Sequence, residues 1–153
     1  MKNRYIFILI ALSMVLILTG CSKNAGSREK EKEKEIFYGE WITADAISYA
    51  PVSAITEEEY NEKYLGKVVL YSKDKAEFEN DMIENPVYQK IIVDNAKFYN
   101  EYRVRFEDLG IESGQATIVE IKDWINPCSL LIIKDEKTMI SLWDGLFFEL
   151  KRK

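Results

Sequence analysis

The residue types that most often carry catalysis are scarce in this 153-residue chain. It has no histidine, which removes the usual general base of serine- and cysteine-type hydrolases and the commonest metal ligand. One of its two cysteines, Cys128, lies in the stretch Asn-Pro-Cys-Ser at 126–129. It could act as a nucleophile with a carboxylate or a lysine as base, but no cationic neighbour in the sequence would activate its thiol. The alternative, which we favour, is a small buried residue at the start of a strand.

Carboxylates are plentiful, and the densest group is Glu57-Glu58-Glu59. A pair of carboxylates could carry acid–base or glycosidic chemistry, but consecutive helical residues point to different sides and do not converge on one atom. A glutamate run in a first helical turn is better explained by the helix dipole. The sequence shows neither calcium-loop spacing nor a glycine-rich phosphate loop. We therefore expect no cofactor, no metal site and no enzymatic activity.

The second cysteine, Cys21, follows a short apolar run. Lys2 and Arg4 precede the stretch from Tyr5 to Thr19, in which every residue is apolar or carries a small hydroxyl. This stretch is shorter than the roughly 20 residues that a membrane-spanning helix needs. A basic start, a short apolar run and a small-residue exit are typical of a secretory signal peptide.

The tetrapeptide Leu18-Thr19-Gly20-Cys21 resembles the lipobox of bacterial lipoproteins. The resemblance implies that the chain is cut between Gly20 and Cys21 and that the Cys21 thiol receives a diacylglycerol, with fatty chains such as palmitate. Two acyl chains anchor a protein firmly, whereas one alone binds marginally. We therefore expect a protein held by lipid on the extracytoplasmic face of the cell membrane. The alternatives are a free cysteine after an ordinary cleavage site and an uncleaved membrane helix.

The remaining chain divides into a tether and one domain. After a signal peptide at 1–20, residues 21–35 hold the lipidated cysteine and a charged stretch without large apolar side chains, which predicts a flexible spacer. Residues 36–153 predict a single β-rich globular domain, large enough to fold without a disulfide.

The predicted domain is acidic. The whole chain carries a formal charge of −5, and without the basic signal peptide and tether the domain carries about −8. Nucleic acid and anionic lipid would repel such a domain, so we expect neither as its partner. We expect a monomer that reaches the membrane only through its lipid anchor.

The domain reads as short strands separated by turns. Strands are predicted, from their branched and aromatic residues, at 36–43, 67–72, 76–79, 86–93 and 116–122. Two short helices interrupt them, one with a capping box from Thr56 to Glu59 and one capped by Asp94. Both are too short to be stable alone, so we expect them to pack on the sheet.

The C-terminus predicts an antiparallel meander of three strands. SLLIIK, KTMISLW and LFFELK are separated by Asp135-Glu136 and by Asp144-Gly145. Asp-Gly between apolar runs is a strong hairpin signal, because both residues tolerate positive φ. Short connections throughout favour a mainly β fold: a small antiparallel β-barrel or a strongly curved sheet.

Gly39-Glu40-Trp41 on the first predicted strand resembles the G-x-W of lipocalin-like barrels. The resemblance implies that Gly39 lets the strand bend, that Trp41 plugs the closed end, and that a basic residue of the last strand, Lys151 or Arg152, covers the tryptophan. A different small barrel or curved sheet is the alternative, since the domain is short for eight full strands.

Aromatic residues in or beside predicted loops and helices are the remaining candidates for binding. Tyr49, Tyr88 and Trp124 fall in or beside loops and could line a barrel mouth or a protein contact. Spacings such as Tyr60 with Tyr64 fit the buried face of a helix equally well, and we favour core packing for most of these side chains.

Several segments, among them WDGLFFEL, also resemble small uncharacterised lipoproteins of Gram-positive bacteria, a likeness that implies no activity. We therefore expect a non-catalytic binding module of the cell envelope that holds a small apolar or amphipathic ligand or an envelope component. The alternative is a factor that binds or inhibits another envelope protein, since an acidic surface suits a cationic target. A carboxylate-based hydrolase is the third alternative.

Overall fold

The structure is a computed structural model that describes residues 35–153. The predicted signal peptide, Cys21 and nearly all of the predicted tether lie outside the described residues. The elements are β1 (Gly39–Tyr49), α1 (Glu57–Lys63), β2 (Val68–Tyr71), β3 (Lys75–Phe78), β4 (Asp81–Glu84), β5 (Tyr88–Asp94), α2 (Asn95–Tyr102), a 3₁₀ turn (Glu107–Leu109), β6 (Gln115–Ile121), β7 (Leu130–Ile133), β8 (Thr138–Trp143) and β9 (Leu146–Arg152).

The strands of the described region form one antiparallel sheet in the order β4-β3-β2-β1-β9-β8-β7-β6-β5. The first and last strands pair, which joins the C-terminal meander to the N-terminal hairpins. The sheet is curled into a half-barrel. Tyr88 on β5 therefore donates its hydroxyl to the carbonyl of Ser72, just after β2, at 2.8 Å and across five intervening strands. These observations confirm the prediction of a mainly β fold with a strongly curved antiparallel sheet and two short helices.

The concave face of the half-barrel is filled by its own side chains. The largest of them are aromatic and fully buried, and α1 and the chain before β1 contribute two of them. The aromatic members of this cluster are Phe37, Trp41, Tyr60, Tyr71, Phe78, Trp124 and Phe148. These buried side chains occupy the concave face.

The convex face is covered over only part of its width. Helix α2 and the 3₁₀ turn pack a second apolar cluster against strands β5 to β9. Phe98 of α2 stacks on Phe106, with ring centroids 4.5 Å apart, and lies 6.1 Å from Phe147 of β9. Both helices thus pack on the sheet, and the buried Tyr60 and Phe98 confirm core packing for those two side chains.

A tryptophan of β1 packs against an arginine of β9. Trp41 is fully buried, and its indole N–H donates to the carbonyl of Phe37 at 2.8 Å. The guanidinium of Arg152 stacks 4.1 Å from the Trp41 ring centre and binds the carbonyls of Tyr38 and Ile36. Gly39 has φ of +132°, and a Cβ there would lie 3.0 Å from that guanidinium. Of the two basic residues considered as a cover for Trp41, the structure places Arg152 over the ring, and the likeness to lipocalin-like barrels stays a prediction.

The local signals read from the sequence are confirmed. Asp144 and Gly145 have φ of 48° and 85°, as the turn between β8 and β9 requires. Thr56 and Glu59 form the capping box of α1, and Asp94 caps α2 by accepting from the N–H of Lys97 at 2.7 Å.

Two strands differ from the prediction. Residues 36–38 form a turn, so β1 begins at Gly39, and it continues to Tyr49 through two register shifts near Thr43 and Ala46. Strand β4 was not predicted, because two of its four residues are carboxylates, which are unfavourable in strands. In the part of the chain that the structure describes, no helix is long and apolar enough to cross a membrane.

Candidate functional site

Of the three aromatic residues predicted as a tentative binding set, Trp124 and Tyr88 pack in or against the core of the concave face, and Tyr49 lies at the surface. Trp124 is 4% exposed and packs edge-on against Tyr71 in the core. Tyr88 packs against Phe37, with ring centroids 4.8 Å apart. Tyr49 is 42% exposed, and its hydroxyl donates to Glu57 at 3.4 Å. Two of the side chains are part of the core packing and the third is at the surface, so the structure does not bring the three together into one binding site.

Cys128 is fully buried, as the interpretation of a small core residue predicted. Its N–H donates to the side-chain oxygen of Asn126 at 2.8 Å, and its carbonyl accepts from the hydroxyl of Tyr71 at 2.8 Å. Burial raises the pKa of the thiol well above its ordinary range. A buried thiol that keeps its proton is a poor nucleophile, because the thiolate is the reactive form.

One surface depression, about 540 Å³, lies over β1, β2 and β3 and is lined by paired charges. Lys67 reaches Glu79 at 3.3 Å, and Lys75 reaches Glu77 at 2.7 Å. Because these lysines and glutamates already pair with one another, the depression offers a ligand little uncompensated charge. Across residues 35–153, no group of three His, Cys, Asp or Glu side chains is placed to hold a metal ion.

Strand β5 forms one edge of the sheet, and its outer backbone groups are unpaired within the described region. The two ends of its pairing with β6 fix which residues face outward. Lys122 donates to the carbonyl of Val87 at 3.1 Å, and Asn95 donates to that of Gly114 at 3.0 Å. Along two antiparallel strands, residue pairs that bond to each other alternate with pairs that do not, so every second residue from Val87 to Asn95 bonds to β6. The backbone N–H and C=O groups of Lys90 and Ile92 therefore point away from β6.

The side chains of β5 are unusually apolar and exposed for an edge. Ile91 is 51% exposed and Ile92 70% exposed, on opposite faces of the strand. Lys90, on the same face as Ile92, pairs with Glu35 at 2.6 Å. Exposed apolar edges with free backbone groups are templates for another strand, and natural proteins usually blunt them with charge, proline or short length.

A groove runs between β5 and α2 on the convex face, and we call it the β5 groove. Its volume is about 210 Å³. Its floor is apolar and its rim carries charged and polar groups. The lining residues are Gln89, Ile91, Val93, Lys97, Glu101, Tyr102, Ile118, Glu120 and Leu130.

The electrostatics of the β5 groove are set by two glutamates beside a half-buried tyrosine. Burial, followed by the nearby carboxylates of Glu101 and Glu120, raises the pKa of Tyr102 to about 12. The hydroxyl therefore stays neutral at physiological pH. Lys97 is the single basic side chain among the groove residues. The rim thus carries a small excess of negative charge next to an apolar floor.

The wall of the groove is held in place by a sharp strand-to-helix junction. Asp94 ends β5 and caps α2, so the helix turns back over the face of the sheet. Asn95 fixes the next segment, since its side-chain oxygen accepts from the N–H of Phe106 at 3.0 Å and its amide donates to Glu107 at 3.0 Å. Arg103 ends the helix in a left-handed conformation with φ of 59°.

Sequence reasoning missed this site. The run PVYQKIIV at 86–93 predicted a strand correctly, but a strand rich in isoleucine and valine is the usual sign of burial. Which strand lies at an edge depends on the order of the whole sheet. The only local signal was Gln89-Lys90, two polar residues inside an otherwise apolar run.

Comparison of the chain with protein-family models, with curated proteins and with solved structures finds no significant match in any of the three.

Proposed function

We propose that this protein is a lipid-anchored, extracytoplasmic and non-catalytic binding module that contacts another protein of the cell envelope through edge strand β5. The observation that carries the proposal is the exposed apolar edge of β5, whose outward backbone groups at Lys90 and Ile92 are free among the described residues. Addition of a strand to a sheet edge gives affinity through main-chain hydrogen bonds and specificity through side-chain pockets.

The filled interior favours a protein partner over a small apolar ligand inside the barrel. A ligand of that kind needs an apolar cavity of roughly 300 Å³ or more. Aromatic side chains occupy the concave face instead, and the β5 groove holds about 210 Å³ and opens beside a strand edge. An extended polypeptide suits such a narrow site better than a compact molecule does.

The proposed location rests on the lipobox resemblance of residues 18–21 and on the basic, apolar start of the chain. Intact-mass measurement of the protein from its own host tests it. We expect a mature chain that begins at Cys21 and carries a diacylglycerol, and we expect Cys21→Ala to release an unmodified protein from the membrane. A mature start elsewhere, or an unmodified Cys21 thiol, would contradict the proposal.

Photo-crosslinking in the host tests the contact through β5. A photoreactive amino acid at Ile91, inside the β5 groove, should give one discrete adduct with an envelope protein. The same amino acid at Ile125, an equally apolar site that is 85% exposed, is the control and should give none. Ile92→Pro removes an outward N–H and should abolish the Ile91 adduct. Equal labelling from both sites, or an adduct that survives Ile92→Pro, would refute recognition through the edge.

A further inference from the structure

We infer that the partner contributes an extended segment with alternating basic and apolar side chains, which adds to β5 as a tenth strand and places its basic side chains along the β5 groove. This inference rests on the proposed function and specifies the chemistry of the partner. It is drawn from the backbone pattern of β5, the facing of its side chains and the charges of the groove.

The backbone of β5 sets the spacing of the bound segment. Outward N–H and C=O groups recur at every second residue, at Lys90 and Ile92, with Tyr88 next in the same alternation. A strand alongside them would exchange main-chain hydrogen bonds over about five residues. Its own side chains would then alternate between the two faces of the sheet, with a period of two.

The convex face receives the basic side chains. Residues of the added strand that point the same way as Gln89 and Ile91 would lie over the outer side of the β5 groove. The carboxylates of Glu101 and Glu120 lie farther in, on α2 and on β6. A long arginine or lysine side chain can lay its methylene groups on Ile91 and bring its charge to these carboxylates.

The opposite face favours apolar side chains. Ile92 is 70% exposed there, and Lys90 on the same face already pairs with Glu35, so an added cation would gain little beside them. A valine or isoleucine opposite Ile92 would bury both side chains, a favourable cross-strand pair. The two faces of β5 therefore select different residue types at alternate positions of the partner.

Charge argues for a partner protein and against a second copy of this chain. Each domain carries about −8, so two copies repel each other. The β5 residues that would face the groove of a second copy are Gln89, Ile91 and Val93, none of which is basic. A self-paired edge would bring no further cation to Glu101 and Glu120 beyond Lys97.

Binding of short capped peptides to the full-length lipidated protein in detergent micelles tests the inference. The probe is a fluorescently labelled heptapeptide of sequence Thr-Arg-Val-Arg-Val-Arg-Thr, followed by fluorescence anisotropy at low ionic strength. Two peptides serve as controls. One replaces every arginine by glutamate, and the other has the same composition in the order Thr-Arg-Arg-Val-Val-Arg-Thr, which breaks the alternation.

We expect the alternating basic peptide to bind about tenfold or more tightly than either control. Glu101→Gln combined with Glu120→Gln should weaken its binding about tenfold, because two partly exposed ion pairs are lost. The matched variant Glu58→Gln with Glu62→Gln removes the same charge from exposed positions of α1 and should change affinity less than about twofold. All four glutamates are exposed, so both double variants should fold.

Residue-resolved hydrogen exchange supplies an independent readout. Bound peptide should slow exchange of the Lys90 and Ile92 amides and leave the Ile91 amide unchanged, since that amide already bonds to β6. Ile92→Pro should abolish peptide binding, and Lys97→Gln should strengthen it slightly.

Four results would overturn the inference. They are equal affinity for the glutamate or reordered peptide, no effect of the Glu101/Glu120 double variant, no protection at Lys90 and Ile92, or protection there without peptide together with a dimer in sedimentation. The last result would identify a second copy as the occupant. A discrete Ile91 adduct in cells alongside any of the first three would leave the proposed function standing with a partner of different chemistry.

Discussion

The two edge strands of the sheet, β4 and β5, differ in how well they are protected against pairing with a strand of another chain. Strand β4 has four residues, and its ends are carboxylates, Asp81 and Glu84. The bond from Asn85 N–H to the carbonyl of Asp74 shows that Met82 and Glu84 carry its outward backbone groups. Strand β5 has seven residues, and the backbone groups of Lys90 and Ile92 point outward. Its two isoleucine side chains are exposed. Short length and charged residues usually protect an edge strand. Strand β5 is longer than β4, and a smaller share of its residues is charged.

The difference shows which edge is left available for a partner. The outer edge of β4 is unpaired in the described region, but a strand added there would gain few hydrogen bonds and would meet a carboxylate. Strand β5 offers a longer ladder beside a groove with an apolar floor. Strand β4 also lacks a helix after it, whereas β5 is followed at once by α2.

The largest expected effect is the difference in stability between a proline at Ile91, whose N–H faces β6, and a proline at Ile92, whose N–H faces outward. Ile91→Pro removes an N–H that bonds to β6 and should lower the free energy of unfolding by about 3 kcal/mol or more. Ile92→Pro removes an N–H that faces outward and should cost within about 1 kcal/mol. Urea unfolding followed by tryptophan fluorescence measures both. Equal destabilisation by the two prolines would contradict the alternation assigned to β5.

A smaller effect is expected from the junction that β5 has and β4 lacks. Asp94→Ala removes the cap of α2 and should lower the free energy of unfolding by about 1 kcal/mol. It should also loosen the groove wall and speed amide exchange in α2. Asp94→Asn keeps an acceptor and is the control. If the alanine variant matched the wild type in both measurements, the cap would not be what holds the wall.

Making β4 resemble β5 should change association more than stability. Glu84→Ile replaces an outward-facing carboxylate by a branched apolar residue, and the free energy of unfolding should change within about 0.5 kcal/mol. We expect self-association that grows with concentration in sedimentation velocity, because the edge loses its protection. Glu84→Gln removes the charge alone and should associate less. A monomeric Glu84→Ile protein would show that short length by itself protects β4.

The smallest expected effect concerns the groove tyrosine. Glu101→Gln with Glu120→Gln should lower the pKa of Tyr102 from about 12, yet keep it above the ordinary 10.0, since burial is the largest cause of the shift. A folded pKa above the unfolded one stabilises the fold below pH 10, and this stabilisation disappears as the pH rises toward 12. Between pH 10 and pH 12 the free energy of unfolding should therefore fall less in the double variant than in the wild type. Titration of the tyrosine ring carbons by NMR measures the pKa directly. An unchanged pKa would show that the two carboxylates do not act on Tyr102.

Much of the fold was predictable because its signals are local. Asp144-Gly145 requires a hairpin since both residues take positive φ, and Thr56 with Glu59 completes a capping box within four residues. Even the cover over Trp41 was anticipated as a choice between two adjacent residues. The structure selects Arg152, since its neighbour Lys151 pairs with Glu149 at 2.6 Å.

The candidate site was not predictable, because it depends on strand order. The tentative set of Tyr49, Tyr88 and Trp124 was chosen for lying in or beside loops, and the structure places Tyr88 and Trp124 in or against the aromatic core and Tyr49 at the surface. Strand β4 escaped prediction for a related reason. An edge strand packs on few neighbours, so its composition need not be apolar.

The sequence by itself determined the turns, the helix caps, the acidic charge of the domain and the expectation of a lipid anchor, because each depends on residues close together in the chain or on simple composition. Only the tertiary structure decided that β1 pairs with β9 and that β5 lies at an edge. It also decided that Glu101 and Glu120 lie beside one groove, 19 residues apart in the chain. The physical reason is that strand pairing is a long-range choice, settled by how the whole sheet curls around its aromatic core.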